Sequence, residues 1–287
     1  MTTTALITVD PSAARRARNR STKSILSAVV GVAILVVMLF PVYWMINASL
    51  QPSGNTLTAS FFPTNPSFAG YEKAITDQGG NLVTSLIISL GTVVVSLAIA
   101  APAAYALAHF RYRWINPALL AILVAQMIPG IVIANALYAA YNDLGLLNSI
   151  IGLILADATH AIPFAIVILR AFMMNIPPSI MEAARVDGAG QWRTFLSIVA
   201  PIAKNSLITA GLFAFLFSWS DFLFALTLTT TEEVRPVTLG IYQYLGTQVA
   251  NWSAVMATAV LSSIPAIVLL ILAQRYIAAG ATGGAVK

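Results

Sequence analysis

Few side chains in this sequence can do chemistry, and they fall into two groups. The first lies inside apolar sequence. Asp157 and His160 stand three residues apart in ADATHAI, a spacing that puts both on one face of a helix. Asp221 follows Trp219 in FSWSDF, and Gln126 and Asn135 bring amides to another apolar run. A carboxylate beside an imidazole can pass protons. Carboxylates, amides and an indole at membrane depth can line a hydrophilic translocation path. The same groups can instead form interhelical hydrogen bonds that fix packing. Trp219 with Tyr242 and Tyr244 offers aromatic faces for stacking on a sugar. Two histidines and two buried aspartates are too few and too scattered for an intramembrane enzyme, and a lone acid–imidazole pair is thin support for a relay. The absence of cysteine excludes disulfides, thiolate metal sites and thiol catalysis. No glycine-rich phosphate loop ending in Lys-Ser/Thr occurs, so any ATP must be hydrolysed by another chain.

The second group is EAARVDGAGQWRTFLSIVAP, residues 182–201, a polar island carrying both charge signs. Pro177-Pro178 stops the preceding segment. Ser179 with Glu182 three residues on reads as a capping box, so a short helix is expected to start near Ser179. Ala183 and Ala184 make that helix thin enough to enter a groove on a partner. Gly188 can end it and turn the chain. A second amphipathic piece follows, with Trp192, Phe195, Ile198 and Val199 as apolar contacts, and Pro201 marks re-entry to apolar sequence. The alternative is a hairpin lying flat on lipid; Glu182 and Asp187 beside anionic headgroups argue against it.

The elements holding these groups must sit in a bilayer. Hydrophobic residues make up 59% of the chain and charged residues 9%, with a mean hydropathy of +0.85; soluble domains carry about 25% charged residues. Six runs are long enough to span, at about 25–46, 82–108, 117–139, 150–169, 205–228 and 254–276, since roughly 20 apolar residues cross the hydrocarbon core as a helix. The expected class is an all-α membrane protein with six transmembrane helices. Residues 1–24 form a basic cytoplasmic tail, 25–280 the transmembrane domain with a cytoplasmic loop at 178–201, and 281–287 a cytoplasmic C-terminal tail. The first run is too long for a cleaved signal core and is read as a retained span.

Thirteen of the 15 lysines and arginines fall on one side of this arrangement. By the positive-inside rule both termini and the 170–204 loop face the cytoplasm. The net charge of +5 therefore speaks of membrane topology and not of nucleic acid. The outer stretch 47–81 is expected as a long loop, with Ser67–Ile75 able to form a short surface helix. Pro102, Pro129, Pro163 and Pro265 fall within the runs and tend to kink them, Pro129-Gly130 most strongly.

At this point a resemblance becomes specific. Glu182-Ala183-Ala184, Gly188, Ile198 and Pro201 stand at the spacing of the EAA motif of permease subunits in bacterial ATP-binding-cassette importers. The chain is similar to the maltose-permease-like branch over roughly residues 25–287. It shares WSDFLFAL (219–226, with Ser220 where asparagine is common), LGLLNS (144–149) and the ending QRYIAAGATGGAVK. The resemblance implies a type I importer fold in the bacterial inner (plasma) membrane. It implies a heterodimeric second permease, two ATPase subunits, an external solute-binding protein and a carbohydrate substrate, a di- or oligosaccharide. This chain would bind no cofactor, ATP and Mg residing on the ATPases. The motif helix would couple to the ATPase through Glu182, Ala183, Ala184 and Gly188; in the same loop stand Asp187, Trp192, Phe195 and Pro201. The tail 283–287 is a further candidate for ATPase contact. A polyol or glycerol phosphate is the alternative solute. An ion-coupled secondary transporter is the alternative of another class.

Overall fold

Small residues recur every three or four positions through the second hydrophobic run, at Ser89, Thr92, Ser96, Ala100 and Ala104, and that periodicity sets the centre of the molecule. In the computed structural model, which describes residues 11–52, 60–110, 112–246 and 251–282, all five of these side chains are buried. They belong to α2 (Ala69–His109), which packs against α5 (Ile150–Met173), α9 (Lys204–Trp219) and α12 (Trp252–Thr282). Helices within a bilayer gain little from apolar burial against one another, so close backbone approach through small residues does the work. α5 answers α2 with Ala158, Ala161 and Ala165. At Gly91 a Cβ would come within 2.4 Å of Ile154 Cδ1, so a larger residue there requires the Ile154 side chain to move.

Every regular element among the described residues is helical. α1 (Pro11–Ser49) leaves the core at Asn47–Ser49 and is otherwise exposed from Leu26 to Phe40, with Val37 at 72%. Four helices are long and apolar enough to cross a membrane, and six spans result if each of two sharply bent pairs counts as one. The first bent pair is α3 (Ile115–Ala125) and α4 (Gly130–Leu144), at 92° to each other. The run expected as one span at 117–139 is therefore broken, and the break falls at Pro129, which caps α4. α2, α5 and α12 remain helical through Pro102, Pro163 and Pro265. A proline lacking its N–H opens a helix only where the neighbouring turn also departs, as it does in the Gln126–Ile128 turns ahead of Pro129.

Three other expectations need correction. α2 starts at Ala69 and not near Leu82, so the outer loop is shorter than its composition suggests. The fifth run, expected as one span over 205–228, ends as α9 at Trp219 and resumes as the short α10 (Leu223–Leu228). Asp221 causes the resumption: its carboxylate accepts from the backbone N–H groups of Phe224 and Ala225, at 3.3 and 3.0 Å, as a helix cap. α6 (Pro178–Val186) begins one residue before Ser179, with Pro177 as its N-cap and no side-chain cap bond. Pro178 occupies the first helical position, where its fixed φ suits the helix, so Ser179 never reaches the capping site. After α6 come α7 (Gln191–Thr194), a π turn at Phe195–Val199 and α8 (Ala200–Ile202), which meet α9 at 81°. α11 (Val237–Gly246) precedes α12. Residues 1–10 of the basic tail and 283–287 of the C-terminal tail lie outside the described residues.

Candidate functional site

The polar island folds into a hairpin with one face anchored and the other free. On α6, Met181 and Ala184 are buried, whereas Glu182, Ala183 and Arg185 are exposed, a split that follows from 3.6 residues per turn. Ala184, expected among the contact residues, is at 3% exposure and packs inward within this chain. Phe195 is likewise turned inward, against the ring of Tyr105 at 5.4 Å. Trp192 rests edge-on against Phe195, at 5.9 Å, and remains 67% exposed. Asp187, Gly188 and Pro201 are exposed.

Gly188 closes α6 with φ +75°, where a side chain would be strained although nothing lies within 4 Å of its Cβ position. Its N–H donates to the Arg185 carbonyl (3.0 Å) and the Ala189 N–H to that of Ala184 (2.9 Å), which satisfies carbonyls that would otherwise be orphaned.

The hairpin is tied to the end of α2. The Tyr105 hydroxyl donates to Gln191 Oε1 at 3.1 Å, and Arg170 Nε of α5 donates to the Leu107 carbonyl at 3.1 Å. Beside these ties lies a cavity of about 650 Å³ lined by Tyr105, His109, Glu182, Arg185 and Gln191. Nothing in the sequence pairs Tyr105 with Gln191, residues far apart in the chain; only the packing of α2 against the hairpin does so.

The apolar-buried group divides. Gln126, Asp157, His160 and Asp221 converge on one cavity of about 380 Å³ between the α3–α4 break, α5 and α10. Phe164, Phe217 and Phe224 supply an aromatic wall that nothing in the apolar runs singles out: Phe164 meets Phe217 edge-on at 5.2 Å, and the His160 ring lies 5.4 Å from Phe224. Gly130 borders the same space, 3.1 Å from Leu223 at its Cβ position. Asp157 is buried and accepts from Ser218, whose hydroxyl in turn receives Thr92 at 3.3 Å. This chain of hydrogen bonds joins α5, α9 and α2, so Asp157 serves packing as well as lining a cavity.

Two expected path residues lie elsewhere. Asn135 sits exposed on α4, away from this cavity. Trp219 is buried, stacks on Phe215 at 5.4 Å, and donates Nε1–H to the Ser262 carbonyl of α12 at 3.0 Å. It therefore ties α9 to α12, and it does not join Tyr242 or Tyr244: Tyr242 packs on Phe222, and the Tyr244 hydroxyl donates to Asp77. LGLLNS proves to be a corner. Gly145 takes φ +67° at the end of α4. Asn148 Oδ1 accepts from the N–H groups of Thr230 and Thr231, and Ser149 caps α5 by accepting from Gly152.

Residues 96–282 match the family described as binding-protein-dependent transport system inner membrane component. The chain is 35% identical over 274 residues to a probable ABC transporter permease protein, y4oR, of Sinorhizobium fredii, covering 94% of this chain and 98% of that one. It is 32% identical to the trehalose transport system permease protein SugB of Mycobacterium tuberculosis, over 91% and 96% of the two chains. Against the trehalose/maltose transport system permease protein MalG of Thermococcus litoralis it is 28% identical, over 94% and 99%. A chain in the crystal structure of a bacterial ABC transporter that imports the acidic polysaccharide alginate shares the fold, with a TM-score of 0.77 at 24% identity, over 90% of this chain and 98% of that one.

Proposed function

The chain belongs to the binding-protein-dependent transport system inner membrane component family, and from that premise we propose that it is the permease subunit of an ATP-driven importer that carries a di- or oligosaccharide across the bacterial cell membrane. It is a multi-pass membrane protein. Its relatives transport trehalose, maltose and diacetylchitobiose by name, which supports a carbohydrate over a polyol or glycerol phosphate. An ion-coupled secondary transporter is not favoured by this membership.

The observation that carries the reading is the hairpin: Glu182 and Ala183 are exposed on α6, Met181 and Ala184 on its other face are buried, and Gln191 of the same hairpin accepts from Tyr105 of α2. Such an element passes force rather than absorbing it. We assign it to the groove of an ATPase subunit, two of which bind ATP and Mg, with a second permease completing the membrane portion and a solute-binding protein delivering the sugar from outside. Both termini and the hairpin then face the cytoplasm. Closure of the ATPase pair pushes Glu182 and Ala183; Tyr105–Gln191 and Phe195 carry the push into α2, the centre of the bundle. The cavity at Gln126, Asp157, His160 and Asp221 lies beside the α3–α4 break, the kind of interruption that transporters place at substrate sites. There the aromatic wall suits sugar faces and the polar groups suit hydroxyls.

The test is reconstitution of the whole importer in proteoliposomes with the four-component partner set. Uptake of labelled trehalose or maltose that requires ATP, and that Glu182→Lys abolishes while the protein still inserts, is the expected result. Uptake by Glu182→Lys at the wild-type rate, with normal ATPase stimulation, removes the coupling role.

A further inference from the structure

α2, α9 and α12 enclose a second cleft, unrelated to either site above. It holds about 400 Å³ and is walled by apolar residues such as Leu97, Leu207, Phe215 and Leu272, with Lys204 and Tyr276 at one end. Along α9 it runs from Lys204 to Phe215, three turns or about 16 Å. That is close to half of the ~30 Å hydrocarbon core, the depth of one leaflet. The cleft therefore has the length of an acyl chain within one leaflet.

Its polar end is cationic. Among the described residues of the lining, Lys204 alone is charged. Arg275 stands beside it in the fold, donating to the Tyr276 hydroxyl at 2.6 Å and lying 4.7 Å over that ring. The ion pairs among the described residues are Lys73–Asp77 and Arg235–Glu232, so neither Lys204 nor Arg275 is neutralised there. Lys204 also opens α9 immediately after the hairpin, so this end lies on the hairpin's side of the membrane.

We propose that the cleft is a binding site for an anionic glycerophospholipid, one acyl chain lying against Gly211 and the phosphate held by Lys204, Arg275 and the Tyr276 hydroxyl. Basic pockets between transmembrane helices bind acidic headgroups in this way. Gly211 keeps the cleft open: a Cβ there would stand 3.2 Å from Leu97 Cδ1 and 3.4 Å from Val93 Cγ1.

The experiment uses the intact importer complex in nanodiscs of equal phosphatidylglycerol and phosphatidylcholine, read by native mass spectrometry of lipid retained after gentle delipidation. Wild type retains phosphatidylglycerol in preference to phosphatidylcholine. Lys204→Gln lowers that retention about fivefold, and Lys204→Gln with Arg275→Gln lowers it further. Gly211→Leu lowers retention of both lipids without altering charge. Unchanged phosphatidylglycerol retention in the double variant overturns the proposal. So does a crosslink from Leu207→Cys to the partner permease in the assembled complex, which puts protein where the acyl chain belongs.

Discussion

The hairpin and the intramembrane cavity are built on opposite plans. The hairpin's residues lie within 182–201 and act at the surface, each in view of the next along a helix or turn. The cavity draws Gln126 from the α3–α4 break, Asp157 and His160 from α5, and Asp221 from the turn before α10. In the hairpin, exposure separates function from support: Glu182 and Ala183 face outward, Met181 and Ala184 inward. In the cavity the two roles share residues, since Asp157 both lines the space and accepts from Ser218, and Asp221 both lines it and caps α10. The lesson is that a hairpin substitution should sever coupling while sparing the fold, and a cavity substitution should disturb both together.

The largest effect expected is Glu182→Lys. On the proposed docking to an ATPase, reversing a charge at the centre of the surface removes a contact worth about 2 kcal/mol or more, roughly thirtyfold in assembly. Pull-down of the ATPase and solute uptake should both collapse, while membrane insertion and thermal stability stay as in wild type. Loss of insertion instead would erase the contrast between the two regions. Gly188→Val should come next: a β-branched residue at φ +75° strains the turn by about 1–2 kcal/mol, so the ATPase should bind several-fold more weakly.

Asp157→Leu should show the shared role of the cavity. It deletes the bond from Ser218, worth about 0.6 and at most about 1.7 kcal/mol between membrane helices. A lower melting temperature in detergent and reduced uptake should appear together. Asp157→Asn, which can still accept from Ser218, should restore most of the stability; if uptake returns with it, the carboxylate charge has no part in transport. Trp219→Phe should be the mildest. It gives up the bond to the Ser262 carbonyl, about 0.6 kcal/mol between membrane helices, and should lower stability slightly while leaving the KM for solute unchanged. A raised KM would return Trp219 to the path.

The physical basis of legibility differs along the same line. The hairpin could be read because helix periodicity and glycine's freedom at positive φ act over a few residues. Even there the cap was misplaced, since Pro178 claims the first helical position ahead of Ser179. The six apolar runs were legible from length and hydropathy, but the breaks at Pro129 and at Ser220–Phe222 were only half visible. Of four prolines expected to kink their helices, Pro129, the one followed by glycine and read as the strongest break, breaks its run, and α2, α5 and α12 pass through theirs unbroken. Trp219 and Asn135 were grouped with the path for their polarity, a property that carries no direction. Phe164, Phe217 and Phe224 were missed because phenylalanine in an apolar run is ordinary until neighbouring helices turn it toward a cavity.

From composition and spacing alone came the membrane as solvent, the number of apolar runs, the bias of positive charge and the outward-facing motif. These follow from transfer free energies and from rules that act within a turn of helix. Tertiary structure alone decided which helix lies at the centre, that Tyr105 holds the hairpin, that Gln126 and Asp221 join the Asp157–His160 pair in one cavity, and that Lys204 heads an apolar cleft. Each of these depends on where one helix meets another, and that is set by the summed packing of small residues across α2, α5, α9 and α12, which no local pattern encodes.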